Sequence, residues 1–223
     1  MPDLPLDEPL NELRPEPQFA TMRQQADTAA FGMWVFLATE VLFFGGMLFA
    51  YAHARATFPD GFAEAGRHTR IVIGTVNTVI LLTSSFTMAW AVHEAQRDRR
   101  RALARLLGVT ALLGLLFLGL KGVEYYLEWR EGLVPGLNFR ETGPNAHAVE
   151  LFYFLYFMLT GVHGLHVTIG IGLVAVMAVR AWRGAFSSRY HTPVEVTGLY
   201  WHFVDIAWIV LFPLIYLVGR SGP

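Results

Sequence analysis

The chain has 223 residues, 54% of them hydrophobic and 16% charged, with a mean hydropathy of +0.40. Soluble domains run nearer about 45–50% apolar with about 25% charged residues, so this is the composition of a membrane protein. A formal net charge of −1 gives no electrostatic footprint for nucleic acid, and the lack of cysteine excludes disulfides, thiolate nucleophiles and Cys-based metal sites.

Residues 1–30 carry Pro2, Pro5, Pro9, Pro15 and Pro17 among six acidic residues. That composition predicts a disordered extramembrane tail, and it is the reverse of the basic start of a cleavable signal peptide. Five apolar spans follow, near 31–53, 71–93, 103–127, 150–180 and 197–219. Each is long enough for a hydrocarbon core of about 30 Å. The predicted fold is all-α, an integral membrane bundle of five transmembrane helices over 31–223.

The first span holds Glu40 near its middle. A carboxylate at that depth costs about 2.5–3.5 kcal/mol on insertion scales, so it needs a partner or a proton; Asn77, His163 and His166 are the candidates. In the second span Gly74, Asn77, Thr78, Leu81, Ser84, Ser85 and Met88 recur at three- and four-residue intervals, a helix face suited to close packing.

The third span ends in Lys121, Glu124, Tyr125, Tyr126 and Trp129. Lys121 and Glu124 are three apart and can pair on one face. The aromatics read as an interfacial belt; a proton-carrying role for Glu124 is the alternative. The fourth span places His163 and His166 three apart, and His202 on the fifth could join them. Two or three imidazoles could hold a metal or haem, but a metal needs about three or four protein ligands, and a hydrogen-bonded cluster is the other reading. In the fifth span Trp201, Asp205, Trp208 and Phe212 share a face, His202 and Asp205 can pair, and Pro213 should bend the helix.

Five spans put the termini on opposite sides. Arg14, Arg23, Arg97, Arg99, Arg100, Arg101, Arg105, Arg180, Arg183 and Arg189 fall on one side, against Arg55, Arg67, Arg70, Arg130, Arg140 and Arg220 on the other. The excess predicts a cytoplasmic N-terminus and an external C-terminus. The Arg97–Arg105 cluster reads as a topology signal or as a surface for anionic lipid. His93, Glu94, Asp98, His191 and Glu195 then lie at the cytoplasmic face, where they form a solvated loop surface or gather protons. No Gly-rich phosphate loop and no Gly-x-Ser-x-Gly elbow is present, and the histidines are too scattered for a di-iron hydroxylase.

Several strings occur in order: Phe36-Leu-Ala-Thr-Glu40-Val-Leu-Phe-Phe44, Asn77-Thr78 with Trp90-Ala91, Glu124-Tyr125-Tyr126, Thr160-Gly-Val-His163-Gly-Leu-His166-Val167, and Tyr200-Trp-His202-Phe-Val-Asp205 with Trp208. Together they resemble subunit III of the haem–copper cytochrome c oxidases across about residues 31–219. The resemblance implies a membrane subunit with no redox centre of its own, beside oxidase subunits I and II, in a bacterial inner membrane. The haems and copper belong to its partners. It implies a role in steadying subunit I, in supporting proton uptake and in holding phospholipid. On the same ground Glu40 matches the family's carbodiimide-reactive carboxylate, and Trp90 and Arg180 are candidate lipid-binding residues. Larger members have seven helices. Their lipid cleft lies between the first two helices and the rest, so a neighbouring subunit has to supply that wall here. Related subunits of quinol oxidases and nitric oxide reductases are the nearer alternatives. A stand-alone metalloenzyme built on His163, His166 and His202, or a transporter using Glu40, Glu124 and Asp205, are the remote ones.

Overall fold

A computed structural model describes residues 15–220. Among these there are six helices and no strand: α1 (Met22–Thr57), α2 (Pro59–His68), α3 (Ile71–Gln96), α4 (Arg100–Glu131), α5 (Ala146–Trp182) and α6 (Thr192–Tyr216). All but α2 are long and apolar enough to cross a membrane, which bears out the expected five-helix membrane fold. Most helix ends outrun the spans read from hydropathy because their polar end turns are helical but not apolar; α6 instead stops at Tyr216, short of the expected end near 219.

The difference is largest in α1, which begins at Met22 rather than near residue 31. Thr21 caps it by accepting a hydrogen bond from the Gln24 amide at 3.1 Å. The Gln, Ala and Arg residues that follow are good helix formers, so residues 22–30 of the tail expected over 1–30 are helix; its residues 1–14 lie outside the described residues. Elsewhere Gly132, with φ of +75°, closes α4 in the left-handed conformation. Pro193 opens α6, where its missing N–H costs nothing. Pro213 lies inside α6 and frees the carbonyl one turn earlier.

α3, α4, α5 and α6 form a four-helix core in which α3 contacts α4 and α6, and α5 contacts α4 and α6. α1 lies outside it, against α5 and α6. Tyr51 ties it there, donating to the Leu214 carbonyl at 2.6 Å. α2 was not visible in the hydropathy pattern because it is short and polar on its outer face. It covers one end of the bundle through buried Phe62 and Ala65, which join the cluster around Tyr51, Phe152 and Tyr216.

Trp201 belongs to a second apolar cluster, with Met88, Leu107 and Val174. A Cβ on Gly114 of α4 would lie 2.8 Å from its ring, and one on Gly170 of α5 would lie 3.0 Å from it. These two glycines therefore admit the indole between α4 and α5. The outward faces are Val, Leu and Phe, whereas Asn77, Ser84, Lys121, Glu124, His163 and Asp205 are buried. Polarity marks the inward face, as the high cost of polar groups in hydrocarbon requires.

Candidate functional site

Three polar centres lie within the helices and one at their end. The first joins α1 to α5. Glu40 Oε2 is 3.1 Å from His166 Nε2, with side chains only 16% and 12% exposed. His166 Nδ1 is 2.9 Å from the Val162 carbonyl oxygen. A carbonyl only accepts, so Nδ1 carries a hydrogen. The hydrogen between Nε2 and Oε2 then belongs either to a neutral acid or to an imidazolium facing a carboxylate. Both forms are neutral overall, which reduces the burial cost. Of the three partners considered for Glu40, His166 alone takes it. His163 and Asn77 are fully buried, and their polar side-chain atoms have no hydrogen-bond partner among the described residues. His163 is instead packed between Phe117 and Trp208, with ring centroids 5.6 and 5.2 Å away.

The second centre is the pair read from the i,i+3 spacing. Lys121 Nζ lies 3.0 Å from Glu124 Oε2 and donates to the Tyr156 and Tyr216 hydroxyls at 2.8 and 2.7 Å. Tyr216 also donates to Glu124 Oε1 at 2.8 Å. The ammonium lies 4.5 Å from the Tyr156 ring centroid, within cation–π range. Glu128, one turn further along α4, is buried, and its Oε2 has no partner among the described residues. Sequence reasoning reached Lys121 and Glu124 but missed Tyr156, Tyr216 and Glu128. Glu128 was legible as the next turn of the same face; the tyrosines come from α5 and α6, and no local spacing announces them.

The third centre corrects an expectation. His202 and Asp205 do not pair. Ser85 of α3 stands 2.8 Å from His202 Nδ1 and takes the ring, while both Asp205 oxygens are without a partner among the described residues. The ring therefore bonds to a hydroxyl of the neighbouring helix α3 and not to the acid on the next turn of its own helix. Trp201 and Trp208 each donate to α3 as well, to Ser84 at 3.1 Å and to Thr78 at 3.0 Å. The three histidines do not converge: His166 meets Glu40, His202 meets Ser85, and His163 packs between Phe117 and Trp208. Among the described residues no group of three or more His, Cys, Asp or Glu side chains is placed to hold a metal ion.

At the end of the bundle, the α3 terminus meets the α5–α6 loop. Trp90 Nε1 donates to Glu94 at 3.1 Å, and Arg99 lies 3.6 Å from the same carboxylate. Gln96 donates to Glu195 at 3.0 Å, and His191 Nε2 is 3.2 Å from it. Asp98 accepts from the Ser188 amide; the hydrogen bonds from Ser188 hold its carboxyl below its ordinary value. His93 is exposed and stands apart. Arg180 lies with its guanidinium 5.1 Å from the Phe186 ring centroid, and Trp90 is engaged with Glu94 rather than with Arg180.

A sequence model of the family described as cytochrome c oxidase subunit III matches residues 19–220. The chain belongs to that family. Among curated relatives, a cytochrome c oxidase subunit 3 from Thermostichus vulcanus is 33% identical, covering 88% of this chain and 90% of the relative. One from Synechocystis sp. is 35% identical, covering 86% and 76%. One from the fish Gadus morhua is 33% identical, covering 85% and 69%. The match runs through all five long helices, so every polar centre above lies inside the subunit III region of the chain.

Proposed function

We propose that this chain is the non-catalytic subunit III of a proton-pumping respiratory oxidase that takes electrons from cytochrome c. It sits in a bacterial inner membrane with its N-terminus cytoplasmic, beside subunits I and II, which carry the haems and copper. The observation that carries this reading is the family match along the whole helical bundle, together with acids that face protein: Glu40 meets His166, Glu124 meets Lys121, and Asp205 is buried against α3. Such a bundle is a rigid, neutral companion for a redox-active neighbour. The relatives' shared name favours the cytochrome c branch over a quinol oxidase or nitric oxide reductase.

Glu94, Asp98, His191 and Glu195 gather at one end of the bundle, and in this role they collect protons near the entrance used by subunit I. His93 adds a titratable group to the same surface. Trp90 and Arg180 are the residues proposed to meet phospholipid. Removing the gene and following the oxidase through many turnovers tests the role. A shorter catalytic lifetime with unchanged haem content supports it; unchanged activity and lifetime overturns it.

A further inference from the structure

A cavity of about 440 Å³ opens between the start of α4 and the end of α5, lined by Arg100, Arg101, Ala104, Arg105, Ala181 and Trp182. It is far larger than one water, whose share of liquid volume is about 30 Å³, and falls within the usual range of small-molecule sites, about 300–1,000 Å³. Three guanidinium groups border it. The acids nearest in the chain are engaged elsewhere, Glu94 with Trp90 and Arg99 and Asp98 with Ser188. Arg100, Arg101 and Arg105 form no ion pair with an acid among the described residues. α4 starts here with no side chain capping its first turn, so the positive end of its dipole adds to the arginines. Gly184, with φ of +82°, leaves room for Arg100: a Cβ there would lie 2.5 Å from Nη1.

The apolar side of the cavity points to a membrane ligand. Trp182 is 77% exposed at its rim, the position of an interfacial indole. Below Arg101 and Arg105 the same face of α4 continues through Gly108 to Leu112. Below Trp182 the same face of α5 continues through Val179 to Gly172. A Cβ on Gly108 or Gly172 would meet nothing within 4 Å, so both helices present an open strip beneath the cationic end. Leu112 and Val179 are exposed along it.

We infer that this cavity is a binding site for the phosphate headgroup of an anionic phospholipid, with its acyl chains lying along the α4 and α5 strips. Arginine forks suit phosphate oxygens, and a zwitterionic lipid would bring an ammonium to a place already holding three cations. The site is distinct from Arg180, which lies on Phe186, and it does not depend on the oxidase role proposed above.

The test is native mass spectrometry of the complex purified with this chain, delipidated and titrated with phosphatidylglycerol, phosphatidylcholine or inorganic phosphate. Two variants are compared: R101Q/R105Q, which removes the forks, and A104L, which fills the cavity and keeps every arginine that directs insertion. The expected result is one phosphatidylglycerol whose affinity falls at least tenfold in each variant, which phosphatidylcholine does not replace and millimolar inorganic phosphate does not displace. Equal phosphatidylglycerol binding in the wild type and A104L overturns the site. Phosphatidylcholine bound equally well overturns the charge selectivity. Displacement by inorganic phosphate would assign the cavity to a soluble anion instead. The readout is lipid occupancy on this chain, whatever redox partners accompany it, so its failure is separable from failure of the oxidase role.

Discussion

Glu40 of α1 and His166 of α5 share a hydrogen across 3.1 Å, a side-chain tie between the outlying first helix and the bundle core that adds to the Tyr51 hydrogen bond to Leu214. With Nδ1 committed to Val162, the pair stays neutral whichever atom holds the hydrogen. An E40Q variant keeps a hydrogen-bonding group opposite Nε2 and should assemble normally. E40L leaves Nε2 without a partner, a loss of about 1–3 kcal/mol. Thermal inactivation of the purified complex reads the difference: E40Q near wild type, E40L clearly below it. Equal stability of all three would show that the contact contributes nothing.

Lys121 is a buried cation held by one carboxylate, with a second, Glu128, one turn away. A K121M substitution leaves Glu124 without its counter-charge, and removing one partner of a buried pair typically costs about 3–5 kcal/mol. The double variant K121M/E124Q removes both charges and should recover much of that loss. Chemical unfolding of the four variants of the cycle gives the coupling between the two residues; additive losses would mean that Lys121 and Glu124 act independently.

Gly114 is occupied sterically by the Trp201 ring. G114L must push the indole off α4, and overpacking of this kind costs about 1–3 kcal/mol. The paired substitution G114L/W201L returns part of the volume and should be more stable than G114L alone. Expression level and melting temperature report both. G114L at wild-type stability would mean that the two helices separate freely.

Asp98 has a lowered carboxyl value because Ser188 donates hydrogen bonds to its charged form. A depressed value adds stability above the unfolded-state value of about 3.9, and that contribution disappears as the pH falls through the lower folded-state value. The tie between the α3–α4 turn and the α5–α6 loop should therefore persist at neutral pH and weaken only in strong acid. D98A should lose it at every pH. Amide exchange at Ser188, corrected for its intrinsic pH dependence, is the measurement: protection in D98A equal to wild type at neutral pH would refute the tie.

Asp98 also adopts a left-handed backbone, with φ of +56°, which Asp and Asn accept more readily than most residues. Substituting a β-branched residue there would strain the turn as well as remove the acceptor.

Sequence alone determined the number of membrane helices, their order, and pairings within one helix such as Lys121 with Glu124. Those follow from the length of apolar runs and from the 3.6-residue turn, both local properties. Pairings between helices were decided only by the folded bundle: Glu40 with His166, Ser85 with His202 in place of Asp205, and the tyrosine hydroxyls around Lys121. A hydropathy pattern records how apolar a helix is and not which neighbour its few polar residues will meet, and lipid tails give no hydrophobic preference for one rotation over another. Close packing at Gly114 and Gly170 and the search of buried polar groups for partners fix the rotation, and those partners lie on other helices, far away in the chain.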